Sequence, residues 1–174
     1  MIYYFSYGSN MSSRRILARV PTARKVSTAV LERHRLAFHK ISNNDATAKC
    51  DAWETGLMED RVHGVVFMIS KQDKLVLDAY EGLGQGYEEK MVRVELPNGE
   101  SIEAVTYYAT RIDPALKPLD WYKAHVLHGA REHGLPEEYI RAIEIIGYIE
   151  DSDDERRVRE MAIYRKQGSK NNNF

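Results

Sequence analysis

The chain has little cysteine: one residue, Cys50, in 174. A single thiol closes no internal disulfide and cannot by itself build a thiolate zinc site. Long apolar runs are missing too, with nothing near the roughly 20 residues that a membrane helix requires. The opening Met1-Ile2-Tyr3-Tyr4-Phe5 has no basic segment and no cleavage site, so it is not expected to be a secretory signal. No excess of one charge is present overall, since the formal net charge is −1, unlike a strongly basic nucleic-acid domain. Several catalytic signatures are also absent. His125, His128 and His133 lie on one helical stretch without an H-E-x-x-H pattern or a neighbouring cysteine, and they read as packing or surface residues rather than metal ligands. Gly82, Gly84 and Gly86 follow neither phosphate-loop pattern. The serine elbow G-x-S-x-G does not occur, and Cys50 has no nucleophile signature around it.

What is present is ordinary globular composition, 43% hydrophobic and 29% charged. A chain of this length is expected to form one domain over 1–174, with 150–174 as a peripheral tail. The expected setting is soluble and cytoplasmic. Charge is unevenly spread: residues 1–50 hold nine Lys or Arg against two acids, Glu32 and Asp45, whereas residues 51–174 hold 16 against 24. Such a split suits a basic face for an anionic metabolite or nucleic acid. It equally suits a solvated face built of Arg14, Arg15, Arg19, Arg24, Lys25, Arg33 and Arg35.

Aromatic and β-branched residues from Ile2 to Tyr7 predict a first strand that Gly8-Ser9-Asn10 ends sharply. Ser12 or Ser13 can cap a short helix through Ile16 and Leu17, which Pro21 stops. Residues 26–41 half-alternate and predict one or two strands, whereas 42–60 reads as a loop with at most a short strand around Trp53. Val62 to Ile69 is a continuous apolar run, the pattern of a buried strand. Ser70 with Asp73 three residues later predicts a helix start, and Gly82 its end. Met91–Leu96 and Ser101–Ala109 flank Pro97-Asn98-Gly99-Glu100, a hairpin turn. Trp121, Tyr122, Val126, Leu127 and Ala130 then recur at helical spacing. Pro136 opens another helix, with Glu137 and Glu138 matched to its dipole and Tyr139, Ile140, Ile143 and Ile146 as its apolar face. Residues 150–155 are strongly acidic, and Lys170–Phe174 is expected to fray. Strands early and helices late predict an α+β fold.

Two places could carry chemistry. In the turn Tyr7-Gly8-Ser9-Asn10, a strand running abruptly into a helix start exposes successive N–H groups, a nest for a carboxylate or a developing oxyanion. A plain turn explains the same residues. Glu81 stands at the end of a predicted helix, where the dipole disfavours negative charge by about 0.3–1 kcal/mol. Enclosed between Tyr80 and Tyr87 it would suit a general base; on the surface it would be an ordinary solvated acid.

Together these segments carry a resemblance. Tyr4-Phe5-Ser6-Tyr7-Gly8-Ser9-Asn10-Met11 resembles the Y-F-x-Y-G-S-N-[LM] motif that opens the γ-glutamylcyclotransferases. Val62-His63-Gly64-Val65-Val66-Phe67 is similar to that family's strand before the catalytic helix, and Leu77-Asp78-Ala79-Tyr80-Glu81-Gly82 to its L-D-x-x-E-G segment. Trp121-Tyr122-Lys123 and Gly129 to Pro136 resemble its Y-K…G-A-x-E-x-G-L-P stretch. The likeness runs in order over residues 3–146 and lapses over 42–60 and beyond 150.

The resemblance implies a small mixed β-barrel or sheet flanked by helices, and conversion of a γ-glutamyl amide to 5-oxoproline and a free amine. The substrate's own α-amino group is the nucleophile, so neither cofactor nor metal is implied. Glu81 corresponds to the catalytic acid/base. Tyr4, Phe5, Ser6, Tyr7, Gly8, Ser9 and Asn10, with Tyr107 and Tyr122, correspond to the substrate site. The motif looks most like the branch acting on γ-glutamyl amino acids; other relatives act on glutathione or on side-chain γ-glutamyl links. Met11 in place of the commoner Leu and the Gly82–Tyr87 loop depart from the pattern. The implied partner is a small γ-glutamyl compound, with no nucleic acid or membrane, the protein acting as monomer or homodimer. A binding module of the same fold, for an anionic metabolite or a protein, is the alternative. A single-strand nucleic-acid binder using Tyr3, Tyr4 and Tyr7 is a more remote one.

Overall fold

The structure, a computed structural model, describes residues 1–165; the expected frayed end Lys170–Phe174 lies outside them. Five strands close into a barrel in the order β1 (Ile2–Ser6), β5 (Arg61–Ile69), β2 (Arg24–Glu32), β6 (Tyr87–Glu95) and β7 (Ser101–Ala109). Most neighbours are antiparallel. The barrel shuts where β1 meets β7 in parallel, Tyr4 opposite Val105. The apolar run of β5 is central because it pairs on both sides, with β1 and with β2. β6 and β7 form the expected hairpin across Pro97–Glu100, although β6 begins at Tyr87, four residues before the alternation suggests.

The segment 42–60 corrects the sequence reading. It contains a seven-residue strand, β4 (Ala48–Glu54), paired with β3 (His34–Ile41) in a separate two-stranded sheet. Its inward residues are Ala48, Cys50 and Ala52, small side chains that give a weak strand pattern. Asp51, also buried, accepts from His39 Nε2 at 2.8 Å and from the Ala109 N–H at 2.8 Å, tying this sheet to the barrel.

Helices cover the barrel: α1 (Ser13–Arg19), α2 (Lys71–Glu81), α3 (Asp120–Glu132), α4 (Glu137–Glu144) and α5 (Asp154–Met161). Ser70 caps α2 by accepting from the Asp73 N–H at 2.9 Å, and Gly82 ends it in the left-handed conformation at φ 69°. Helix α3 buries Trp121, Tyr122, Val126 and Ala130, and α4 buries Ile140 and Ile143, with Tyr139 and Ile146 half-buried. Asp151, just before α5, accepts from the Trp121 indole at 2.7 Å. Among the described residues no helix is long and apolar enough to cross a membrane.

Candidate active site

Strand β1 ends at Ser6, and after Tyr7 and Gly8 the chain makes one 3-10 turn, Ser9–Met11, closed by the Met11 N–H donating to the Gly8 carbonyl at 3.0 Å. This turn is seated on α3. A Cβ on Gly129 would lie 2.5 Å from Met11 Cβ and 2.6 Å from Ser12 N, so only glycine permits the approach. His133 at the end of α3 places Nε2 2.9 Å from the Met11 carbonyl. The N–H groups of Gly8, Ser9 and Asn10 find no acceptor among the described residues, as is usual at the first turn of a helix.

Helix α2 delivers Glu81 to the same place. Asn10 Nδ2 donates to Glu81 Oε1 at 2.7 Å, while Asn10 Oδ1 accepts from Arg19 at 2.9 Å. The Arg19 guanidinium itself lies 3.5 Å from Glu81 Oε1. The carboxylate at an unfavourable helix end thus receives a counter-charge from the last residue of α1. Arg15 and Arg19 therefore do not belong to a solvated basic face. Both turn inward, Arg15 buried against Ser9 and His125, whereas Arg14, Arg24, Lys25, Arg33 and Arg35 are exposed as expected.

Around Glu81 lies a recess of about 20 Å³, walled by Tyr4, Ser6, Tyr7, Gly8, Ser9, Asn10, Cys50, Tyr87, Tyr107 and Tyr122. Its hydroxyls are largely engaged. Tyr7 donates to the Tyr107 carbonyl at 2.6 Å, and Tyr107 donates to Asp78 at 2.6 Å. Tyr87 donates to the Cys50 carbonyl, and the Tyr122 hydroxyl accepts from the Cys50 N–H at 3.0 Å. Burial pushes the Tyr4, Tyr7, Tyr87, Tyr107 and Tyr122 hydroxyls and the Cys50 thiol above their ordinary ranges. These groups keep their protons near neutral pH, so Glu81 is the one carboxylate in a wall of protonated side chains. The recess adjoins a groove of about 300 Å³, and Ser9, Glu81, Tyr87 and Tyr122 belong to the walls of both.

Nearly every residue singled out from sequence meets here. Phe5 does not: it alternates to the other face of β1 and is buried in the barrel beside Tyr7, ring centroids 6.4 Å apart. Tyr80 likewise turns out to solvent with Arg19 over its ring, so of the two expected flanking tyrosines only Tyr87 walls the recess around Glu81. Sequence reasoning missed Arg19 and Cys50. Nothing local in the sequence marks them, because α1 and β4 bring them in from elements whose own patterns are weak.

A model of the AIG2-like family matches residues 61–143, from β5 through α2 and most of α4. The chain is 33% identical over 150 residues to the γ-glutamylcyclotransferase of Bos taurus, covering 82% of this chain and 77% of that protein. Against the Homo sapiens γ-glutamylcyclotransferase, identity is 34% over 151 residues, with 81% and 78% covered. The chain belongs to the γ-glutamylcyclotransferase family. A solved γ-glutamyl cyclotransferase superposes with a TM-score of 0.80 at 27% identity, over 91% of this chain and 98% of that one. The family fold therefore accounts for nearly the whole structure. A yeast γ-glutamyl cyclotransferase specific to glutathione shares the fold alone, with a TM-score of 0.57 at 12% identity over 82% of this chain and 93% of that one.

Proposed function

We propose that this γ-glutamylcyclotransferase family member converts a γ-glutamyl amino acid, or a related γ-glutamyl amide, to 5-oxoproline and the free amine, with Glu81 as general acid/base. The observation that carries the reading is Glu81 itself. It is a carboxylate in a recess of protonated tyrosines and a protonated cysteine, fixed by Asn10 and Arg19 beside a turn of free N–H groups. Glu81 takes a proton from the α-ammonium, and the freed amine attacks the γ-carbonyl carbon. The carbonyl electron pair moves onto oxygen, where N–H groups of the Tyr7–Asn10 segment receive the charge. Collapse breaks the original C–N bond as Glu81 gives its proton to the departing nitrogen, and the second proton of the attacking nitrogen then passes through the freed Glu81 carboxylate to the released amine, leaving a neutral lactam and an ammonium. Because the nucleophile belongs to the substrate, neither an activated serine nor a thiolate is called for. Tyr4, Ser6, Tyr107 and Tyr122 complete the walls against the glutamyl part. The buried, unpaired thiol of Cys50 fits a reducing, cytoplasmic setting.

The test is 5-oxoproline release from γ-glutamyl-alanine, glutathione and γ-glutamyl-ε-lysine, quantified by chromatography. Wild type yields product from at least one, and Glu81→Gln lowers turnover by about 10²-fold or more, the usual worth of a positioned acid/base. Normal turnover in that variant removes Glu81 as the base. No product from any of the three favours the binding module.

A further inference from the structure

Four cations line the groove outside the recess, Arg15, Arg19, Lys40 and Lys49, and three are already neutralised. Arg15 pairs with Glu160 at 2.7 Å, Arg19 reaches Asn10 and Glu81, and Lys49 pairs with Asp45 at 2.9 Å. Lys40 differs. The residue is 6% exposed with its Nζ still open to the groove, yet no carboxylate or hydrogen-bond acceptor among the described residues meets its ammonium. Its contact is the Tyr87 ring, whose centroid lies 4.6 Å from Nζ. Beside it runs bare backbone. At Gly86, φ +124°, a Cβ would stand 3.2 Å from Lys40 Cε and 3.5 Å from Nζ, crowding the ammonium. Burial pushes this lysine down, and the charge of Glu81 across the cleft acts in the opposite direction. A partly desolvated cation that faces a groove without an anion gains from pairing, and a ligand carboxylate would supply that pairing.

Position then selects which carboxylate. Lys40 walls the groove but not the recess, whereas Tyr87 belongs to both. With the γ-glutamyl end against Glu81, what extends past Tyr87 is the departing amine. We infer that Lys40 is a specificity-determining residue that receives a carboxylate borne by the leaving amine, and so favours γ-glutamyl amides whose leaving group is an amino acid or peptide over neutral or cationic amines. This rests on the substrate reading above and adds the residue that selects the leaving group.

The experiment compares γ-glutamyl-alanine with γ-glutamyl-alaninamide, which differ by that one charge. Binding is measured by calorimetry in the Glu81→Gln background, with and without Lys40→Met or Lys40→Arg, and turnover in the corresponding proteins with Glu81 intact. The acid binds more tightly than the amide. Lys40→Met collapses that preference by about 10- to 100-fold, as expected for one charge-assisted hydrogen bond, and Lys40→Arg retains most of it. Lys40→Met melts no lower than its parent, since it removes a partly desolvated charge that has no anion. The inference is overturned if the acid-to-amide ratio survives Lys40→Met, if neither ligand binds, or if both ligands weaken equally together with a lower melting temperature. Turnover separates the two readings. Product formed with an unchanged ratio leaves the reaction standing and removes Lys40. Lys40-dependent binding of the acid without any 5-oxoproline removes the reaction and keeps the carboxylate site.

Discussion

Asn10 has both ends of its amide committed, the nitrogen to Glu81 and the oxygen to Arg19, so its orientation follows from its partners rather than from choice of a flip. The three side chains come from a turn, the end of α2 and the end of α1, and each meets the other two. Arg19 is the informative member to remove, because it touches Glu81 only by charge and through Asn10. Arg19→Met is expected to lower kcat by about 10- to 100-fold, the range for loss of a hydrogen bond to a charged group. The fold should survive, because the residue caps no core position. Arg19→Lys restores only part of the loss, since a point charge does not replace a planar fork. Steady-state kinetics with thermal melting checks this; wild-type kcat in Arg19→Met would remove the guanidinium from the machinery.

One contact between elements sets where the Ser9–Met11 turn sits. Helix α3 meets Ser9–Met11 at Gly129, against backbone atoms and the fully buried Met11. Gly129→Ala puts a methyl group where none fits, and overpacking of this kind costs about 1–3 kcal/mol. The expected outcome is that loss in urea unfolding together with reduced turnover, because the displaced turn carries the N–H groups; unchanged stability would contradict the seating. Elements whose signals are local were legible beforehand: the apolar run of β5, the Ser70 and Asp73 cap, the Gly82 stop and the Asn98-Gly99 turn all appear where their chemistry put them. Strand β4 was not legible. Its period of two is carried by Ala48, Cys50 and Ala52, buried residues too small to announce a strand, and the Cys50 backbone bonds the Tyr87 and Tyr122 hydroxyls. Losing β4 hid part of the site, since Cys50 lies on it and its pairing with β3 aims Lys40 at the groove. Glu81 and the Tyr7–Asn10 turn could be found from motifs; Arg19 and Lys40 could not, because a lone basic residue looks the same on a solvated face and in a cleft.

Across the whole molecule, the segment after Asp151 is latched onto the site from behind through His125. This imidazole is fully buried on α3, and its Nε2 lies 2.9 Å from the Arg15 guanidinium, which can only donate. The ring proton therefore sits on Nδ1, donating to the Tyr164 hydroxyl at 2.8 Å, and Tyr164 donates in turn to Ser12 Oγ at 2.9 Å. Arg15 also binds Glu160 of α5 at 2.7 Å, so one neutral histidine organises α1, α3 and the C-terminal helix together. Burial lowers its pKa from the ordinary 6.5 to about 4. The unfolded chain then binds a proton that the folded chain refuses, and between those two values stability rises with pH. The contribution is complete above about pH 6.5 and lost progressively as pH falls to about 4. At pH 5 this group alone costs on the order of 2 kcal/mol relative to pH 7.5. Denaturant unfolding at the two pH values should show that difference in wild type and a smaller one in His125→Gln, whose side chain does not titrate. The ring resonances of His125 should titrate near 4; a midpoint above 6, or equal pH slopes in the two proteins, would show that the latch does not depend on a neutral imidazole.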